Sequence, residues 1–271
     1  MSEDNKKPEP KGAIGRFLAS PPDSVGKTLF TAVTVCLVAS MVVSAAAVAL
    51  RPTQEVNALK DKRVNILQVA GIYNPDEDVL ETFKAFEPHV LELDTGEFAK
   101  QFDPAEFDDR AAADDPNYSL ALADDPAGII RRGNFVTVYL LRDDAGDVDK
   151  VIMPIHGYGL WSTLYGFIAV EENGNDIFGL QFYEHAETPG LGAEVDNPRW
   201  KAQWNGKELR DESGVLQINV AKSVSPAGKE HHIDALAGAT LTSNGVDNLV
   251  RFWMGEEGYA PFLENLKAGG V

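Results

Sequence analysis

The sequence predicts an α+β protein, with one N-terminal transmembrane helix followed by a soluble domain of mostly antiparallel sheet with packed helices. Three observations lead to this prediction. Residues 28–50 contain no charged side chain. Several apolar runs in the second half of the chain are joined by short turns, which is typical of hairpins. Segments with helical periodicity come before and after these runs in the sequence and do not alternate with them, which disfavours a parallel nucleotide-binding sheet.

The uncharged segment, residues 28–50, would span about 34 Å as a helix, and a hydrocarbon core is about 30 Å thick. A cleaved signal peptide is the alternative, because Ser44, Ala45 and Ala46 resemble a cleavage site. A signal core is usually about 7–15 residues long and starts nearer the N-terminus, so an anchor is favoured. Basic residues flank both ends, so charge alone gives only a slight preference for a cytoplasmic tail at residues 1–27.

A membrane-proximal part with helical and α+β character is predicted over residues 51–130. Pro52 stands at the membrane boundary, where a bend breaks no buried hydrogen bond. Apolar residues at helical spacing predict a stalk helix that continues to about Ala70 and ends at Gly71. A second helix is predicted to begin at Asn74-Pro75 and to include Phe86 on its apolar side.

A short strand and a long loop complete this part of the chain. Residues 89–93 are predicted to form the strand, which ends at the turn Asp94-Thr95-Gly96. Residues 103–130 are rich in Asp, Ala and Pro and have no clear period, which predicts a long acidic loop or insertion.

Residues 131–271 are predicted to form a separate, main domain. Four strands are predicted at residues 135–141, 151–155, 164–170 and 177–183. The last two of them form the clearest hairpin, around Asn173-Gly174. Asn197-Pro198 predicts the start of a short helix with Trp200 and Trp204. A strand at residues 215–220 and a final helix at about 244–254 follow.

Composition excludes several kinds of function. The net charge of −18 argues against a nucleic-acid partner and is typical of a solvated acidic surface. Cys36 is the one cysteine, so the chain cannot build an internal disulfide, an iron–sulfur cluster or a cysteine zinc site. If this protein transfers electrons, an organic cofactor must carry them. The adjacent His231-His232 pair is expected at a surface or sheet edge, and no metal site is predicted.

The most informative segment is residues 233–246. Gly238 and Ala239 are small, so a bulky group can approach the backbone there. Thr240, Thr242 and Ser243 supply hydroxyl groups just before the predicted last helix, whose free N–H groups suit a phosphate. The alternative is an ordinary Thr or Ser cap after a glycine turn.

This segment resembles a known covalent flavin attachment motif. The run Asp234-Ala-Leu-Ala-Gly-Ala-Thr240 is similar to Asp-x-x-(Ser/Thr)-Gly-Ala-Thr, the motif of the FMN-binding subunits of the Nqr and Rnf complexes. Ala237 stands where that family usually has Ser or Thr. Glu187-Thr-Pro-Gly-Leu-Gly192 resembles a second loop of the same domain. Gly159-Leu-Trp-Ser-Thr163 resembles a segment of the NqrC family of the sodium-pumping NADH:quinone oxidoreductase, and not of its Rnf counterpart.

The resemblance implies that residues 131–271 are an FMN-binding domain and that FMN is joined to Thr240 through a phosphoester. It implies that a flavin transferase makes this bond from FAD. It also implies assembly with the other Nqr subunits, NqrA, NqrB, NqrD, NqrE and NqrF, in a bacterial inner membrane, with a periplasmic soluble domain. The expected function is electron relay from NADH toward quinone while sodium moves outward, with no catalytic side chain of its own.

The resemblance also places further residues near the flavin. Trp161 and Leu191 are expected to pack on the ring, although a Trp between strands is often plain core. Thr188 is expected to hydrogen-bond the polar edge of the ring. Lys222 is expected to oppose the negative charge of the reduced flavin or of its phosphate, and a solvated surface lysine is its alternative.

Three alternative functions remain open at this point. One is an Rnf-type electron-transport subunit, which the Gly159–Thr163 segment disfavours. Another is a membrane-tethered flavin-binding sensor or scaffold that performs no turnover. The third is a membrane-anchored domain without a cofactor.

Overall fold

The computed structural model describes residues 12–19, 21 and 24–270. The chain divides into two compact units, Met1–Ala58 and Leu59–Val271. Helix α1 (Gly12–Ala19) lies in the first unit, and helix α2 (Val25–Val69) begins in the first unit and ends in the second. Of the predicted tail 1–27, residues 1–11, 20, 22 and 23 lie outside the described residues.

Helix α2 contains the predicted membrane span. Among the described residues it is the one helix long and apolar enough to cross a membrane. Its side chains at positions 28–50 are all exposed, as expected for a surface that lipid would cover. The predicted span at 28–50 lies wholly within α2, which begins three residues before it. The helix fits a single-pass membrane anchor.

The predicted stalk helix is also confirmed, because α2 continues without interruption to Val69 and contains Pro52. Ile66 and Leu67 near its end are almost fully buried. The helix ends at Val69, two residues before Gly71, whose φ of 77° suits glycine, and the amide of Ile72 donates to the carbonyl of Leu67.

The next helix, α3 (Val79–Phe83), is shorter than predicted. The prediction that it begins at Asn74-Pro75 is wrong, because the Asp78 carboxylate accepts hydrogen bonds from two amides of its first turn and caps it there. The Asn74 side chain instead accepts from the amide of Asp76 within a turn. Phe86 lies outside the helix and begins a strand.

That strand is β1 (Phe86–Glu92), which confirms the strand predicted at 89–93 with an earlier start. It pairs antiparallel with the short β2 (Glu97–Phe98) across the predicted turn at Gly96.

The acidic segment 103–130 is more ordered than the sequence predicted. It contains helix α4 (Asp109–Asp114) and strand β3 (Ser119–Ala121), which forms a hairpin with β4 (Arg131–Gly133). The prediction of a plain loop is therefore wrong for these residues. The Asp109 carboxylate fixes the segment to the main sheet, because it accepts from the amide and the hydroxyl of Thr137 at 2.7 and 2.9 Å.

The main sheet has seven strands in the order β2-β1-β5-β6-β7-β8-β9, with all neighbours antiparallel. The added strands are β5 (Phe135–Arg142), β6 (Val148–Tyr158), β7 (Thr163–Glu171), β8 (Asp176–Glu184) and β9 (Lys207–Glu208). The four strands predicted between residues 135 and 183 are confirmed. Because β1 pairs with β5 along its whole length, the sheet uses residues from both sides of the predicted boundary at 130/131.

Helices cover both faces of this sheet. The end of α2 packs on one face, in a cluster that comprises Ile66, Leu67, Ala70, Tyr139, Ile152 and Phe167. The C-terminal helices, α6 (Thr240–Trp253) and α7 (Ala260–Lys267), cover the other face. The α+β architecture predicted from the sequence is confirmed.

The segment between β8 and α6 is only partly as predicted. Asn197 caps α5 (Pro198–Lys201), which a 3₁₀ turn extends through Trp204, as expected. The strand predicted at 215–220 is wrong in extent, because the Asp211 carboxylate accepts from the amide of Val215 and closes a turn. The strand is β10 (Asn219–Ala221), parallel to β11 (His232–Asp234). The helix predicted at 244–254 is not the last one, since α7 follows it.

Candidate functional site

Thr240 is the first residue of α6 and is exposed. The helix was predicted to start at about Asn244, and this prediction is wrong because the hydroxyl-bearing run already belongs to the first helical turn. Ala239, at the N-cap, has no side chain that could accept from the first amides. The positive end of the helix dipole and these amides therefore remain available beside the Thr240 hydroxyl.

Ser243 fixes the loop that leads to Thr240. Its buried hydroxyl accepts from the amide of Leu236 at 2.9 Å and donates to the carbonyl of Ala239 at 3.0 Å. Gly238 lies between these two contacts with a φ of 77°, a conformation that glycine adopts without strain. The loop and the first turn of α6 thus form one hydrogen-bonded unit.

Glu187 joins this unit to two other segments of the chain. Its side chain is 5% exposed. One carboxylate oxygen, Oε2, accepts from the Thr242 hydroxyl at 2.6 Å. The other, Oε1, accepts from the amides of Leu160 and Trp161 at 2.9 and 3.0 Å. One buried carboxylate therefore binds the start of α6, the turn between β6 and β7, and its own loop together.

The hydrogen bonds at Glu187 keep this group charged. Burial favours the neutral form and by itself would raise the pKa of Glu187. Donors from the Thr242 hydroxyl and from the amides of Trp161, Leu160 and Ser162 outweigh burial, so the pKa lies below its ordinary value. Glu187 is thus an anion at neutral pH.

Glycine lets these segments come close together. A Cβ atom at Gly192 would lie 2.6 Å from the Thr242 hydroxyl oxygen, and one at Gly238 would lie 3.2 Å from Leu191 Cδ2. The loop 187–192 therefore lies directly against the Thr240 loop. The structure brings together four residues predicted for the site: Leu191, Gly238, Ala239 and Thr240.

Apolar side chains stand out from the surface around this junction. Trp161 is 65% exposed and Leu241 is 59% exposed, while Leu160 and Leu191 are also exposed. Trp161 is therefore not a core residue, which was the alternative for it. Exposed apolar side chains grouped in this way are typical of a surface that binds a ligand or a partner.

Thr188 and Lys222 are placed at the edges of the site. Thr188 is exposed, and its carbonyl accepts from the amides of Leu191 and Ala193, both at 3.1 Å. Lys222 is exposed and directly follows β10. Its neighbour Ala221 accepts from the amide of Ala235, which places the Lys222 backbone beside the strand that leads to Thr240.

A shallow cleft of about 360 Å³ adjoins the Thr240 loop. Its lining includes Gly190, Arg199, Asp234, Leu236 and Ala237. It is open to solvent and could extend the surface available to a bound group.

The two adjacent histidines were predicted at a surface or sheet edge; the surface placement is wrong, whereas His232 does begin β11, an edge strand of a two-stranded sheet. His231 and His232 are both buried. His231 Nδ1 contacts the carbonyl of Glu208 at 2.8 Å, and His232 Nε2 lies 3.1 Å from an Asp234 carboxylate oxygen. Within the described part of the chain, no group of three or more His, Cys, Asp or Glu side chains is placed to hold a metal ion.

Sequence reasoning missed the role of Glu187 and of Ser162. The Ser162 hydroxyl accepts from the amide of Ala186 at 2.7 Å and so links the same two loops beside Glu187. The signal that could have identified Glu187 was the position of a carboxylate just before a Pro/Gly turn. A charged side chain at such a turn is usually exposed to solvent. Its partners are 26 and 55 positions away in the chain, so spacing could not identify them.

Comparison with known proteins gives consistent results. Residues 159–255 match the family model described as FMN-binding domain, and this range contains every residue predicted for the site. The chain is 49% identical over 255 residues to the NqrC subunit of the Na(+)-translocating NADH-quinone reductase of Yersinia pestis, covering 92% of this chain and 96% of the relative. The corresponding subunit of Pseudomonas aeruginosa is 49% identical over 256 residues, covering 91% and 98%.

Solved structures agree with these relatives. The crystal structure of Shewanella oneidensis NqrC matches with a TM-score of 0.71 at 36% identity, covering 78% of this chain and 99% of that one. The structure of the corresponding reductase subunit from Parabacteroides distasonis matches with a TM-score of 0.63 at 28% identity, covering 79% and 96%.

Proposed function

Because this chain belongs to the NqrC family of the Na⁺-translocating NADH-quinone reductases, we propose that it carries FMN covalently on Thr240 and relays electrons from NADH toward quinone. The observation that carries the covalent assignment is the placement of one exposed hydroxyl at the open N-terminus of α6. A phosphate ester on Thr240 would lie at the positive end of the helix dipole, next to amides without a side-chain cap.

The surroundings of Thr240 suit a flat, partly apolar ring. Trp161 and Leu191 offer exposed apolar faces, and Gly238 exposes backbone without a side chain, while Ala239 is buried. Burying an apolar surface stabilises a complex by about 25 cal/mol per Å². We assign Thr188 to the polar edge of the ring.

Lys222 supplies the positive charge in this proposal. A cation near the ring stabilises an anionic reduced flavin or its phosphate. Its exposed position beside the strand that leads to Thr240 supports this assignment.

FMN, when bound, supplies the electron-transfer chemistry, and the residues of this chain hold and orient it. Glu187 fixes the relative positions of the Trp161 turn and the Thr240 helix through the hydrogen bonds from Leu160, Trp161 and Thr242. Gly192 permits the close contact between its own loop and Thr242 in α6. No side chain needs to act as acid or base for electron tunnelling.

We further propose the following setting. A flavin transferase that consumes FAD forms the phosphoester. Helix α2 anchors the chain in a bacterial inner membrane with a cytoplasmic N-terminus and a periplasmic soluble domain, among NqrA, NqrB, NqrD, NqrE and NqrF. The names of the relatives favour this setting over an Rnf-type subunit.

Mass spectrometry of the full chain coexpressed with the transferase tests the attachment. The expected product carries one added FMN less one water, and its band fluoresces after denaturing electrophoresis. Thr240→Ala should abolish the added mass, and Thr240→Ser, which keeps a hydroxyl, should retain at least part of it. An unmodified wild-type chain, or modification that persists in Thr240→Ala, would overturn the assignment.

A second experiment separates electron relay from a flavin-binding sensor or scaffold. The flavin-loaded chain should be reduced by NADH within the assembled reductase and not when it is purified alone. A flavin that stays oxidised in the complex during quinone reduction would exclude the relay.

A further inference from the structure

Ile130 combines backbone strain with an exposed apolar side chain. Its φ is 65°, and among residues 12–19, 21 and 24–270 no other non-glycine residue has a positive φ. Left-handed backbone is especially unfavourable for β-branched residues. The side chain is 77% exposed, so no packing within the domain compensates for the strain. Glycine at this position would avoid both the strain and the exposure.

Neighbouring residues hold Ile130 in this conformation. The Asp125 carboxylate accepts from the amides of Ile129 and Ile130 at 3.1 and 2.6 Å. The Ile130 carbonyl accepts from the amide of Leu122 at 3.1 Å. These hydrogen bonds stabilise a loop conformation that exposes the isoleucine side chain to solvent. Strained residues of this kind are concentrated at functional sites.

The loop adjoins the proposed flavin site. The carbonyl of Ala127 accepts from the amide of Tyr158 at 2.7 Å. The Tyr158 side chain is exposed, and its carbonyl lies 2.5 Å from where a Cβ of Gly245 in α6 would stand. Leu120, on the hairpin that the loop closes, is also exposed. We call Leu120, Ile130 and Tyr158 the Ile130 surface.

The chain around the Ile130 surface carries a net negative charge. Residues 103–133, which include β4, have eight acidic side chains and three basic side chains, Arg110, Arg131 and Arg132. The acidic residues are Asp103, Glu106, Asp108, Asp109, Asp114, Asp115, Asp124 and Asp125. With a net charge of −18, a second copy of this chain would be repelled, as would anionic lipid headgroups. Charge complementarity therefore favours a basic protein face.

We propose that the Ile130 surface docks another subunit of the reductase, one that presents Lys and Arg side chains around an apolar pocket which receives Ile130. This inference rests on the proposed function, because the docked subunit would stand beside the flavin on Thr240 and exchange electrons with it. The acidic segment steers the approach, and Ile130 provides the buried anchor.

Photo-crosslinking in the purified, assembled complex tests the docking. A p-benzoylphenylalanine residue replaces Ile130 in one variant and Leu80 in a control. Leu80 is also apolar and exposed, but it lies on α3, whose residues pack on the sheet face opposite α6. We expect a crosslink from position 130, and not from position 80, to one other subunit at a site rich in Lys and Arg. A crosslink from position 130 to lipid or to a second copy of this chain, or none at all, would overturn the proposal.

Substitutions distinguish docking from a role in stability. Ile130→Gly should leave the chain as resistant to urea as the wild type or more so, because it removes the strain. The same variant should slow NADH-dependent reduction of the Thr240 flavin about tenfold, as should Ile130→Asp, while Leu80→Asp should not. Loss of urea resistance together with an unchanged reduction rate would assign Ile130 a structural role instead.

FMN content is measured by mass in the same samples. A chain that carries FMN and gives no crosslink refutes only the docking surface. A chain without FMN refutes the proposed function, and the crosslink still reports on docking.

Discussion

The hydrogen bond from Thr242 to Glu187 offers a direct test of how the site is built. Thr242→Val keeps the shape of the side chain but removes the hydroxyl that donates to Glu187 Oε2 at 2.6 Å. Both side chains are buried, so water cannot easily replace the lost donor. Hydrogen bonds to charged groups contribute about 1.5–3 kcal/mol, and we expect Thr242→Val to lower the free energy of unfolding by that amount.

Thr242→Ser is the matched control, because it keeps the hydroxyl and loses one methyl group, which costs about 1 kcal/mol. The measurement is urea unfolding of the full chain in detergent micelles, followed by tryptophan fluorescence. In a double-mutant cycle with Glu187→Gln, the two substitutions should be non-additive, since both alter the same charged hydrogen bond.

The pH dependence of unfolding provides a further check. The folded-state pKa of Glu187 lies below its ordinary value, so its contribution to stability is complete above the unfolded-state pKa, about 4.5, and is lost as pH falls through the folded-state pKa. The penalty of Thr242→Val should therefore shrink in strong acid. Equal penalties for Thr242→Val and Thr242→Ser at neutral pH would show that the hydrogen bond does not hold the site together.

Three further predictions concern other parts of the soluble unit. Gly238→Ala should cost about 1–2 kcal/mol and reduce FMN loading, because it adds strain at φ 77° and a 3.2 Å contact with Leu191. Gly214→Ala, at φ 82° in open space, is the control with strain alone and should leave loading unchanged. Burial, followed by the charge of a nearby arginine, lowers the pKa of His156 to about 4. Since the unfolded histidine titrates near 6.5, the stability that depends on neutral His156 should be complete above pH 6.5 and be lost, by up to about 3 kcal/mol, as pH falls to about 4. His156→Gln should flatten that part of the pH profile of unfolding. Lys222→Met should lower the flavin potential by on the order of tens of millivolts in redox titration, and an unchanged potential would dismiss its role.

Strong local patterns predicted much of the fold. The uncharged run at 28–50, the hairpin around Asn173-Gly174 and the Asn197 cap each depend on residues that are near one another in the chain. Their outcomes in the structure follow these local preferences. Predictions failed where a side chain selected one of several compatible conformations, as at the Asp78 cap and the Asp211 turn.

The prediction for the acidic segment 103–130 failed for a different reason. Its residues have no apolar period, and a tertiary contact, from Asp109 to Thr137, fixes α4 against the sheet. The strain at Ile130 was equally inaccessible, because isoleucine is among the residues least expected in left-handed backbone.

The sequence by itself determined the long apolar helix that fits a membrane anchor, the antiparallel character of the sheet and the position of the candidate acceptor, Thr240. These properties depend on runs of neighbouring residues, because hydrophobic periodicity and turn preferences act over a few positions. Only the tertiary structure decided that Glu187 is the common acceptor for Trp161 and Thr242, and that Leu191 meets Gly238. Hydrogen bonds between distant segments form only after the sheet has fixed the distances between its loops, and no local pattern encodes those distances.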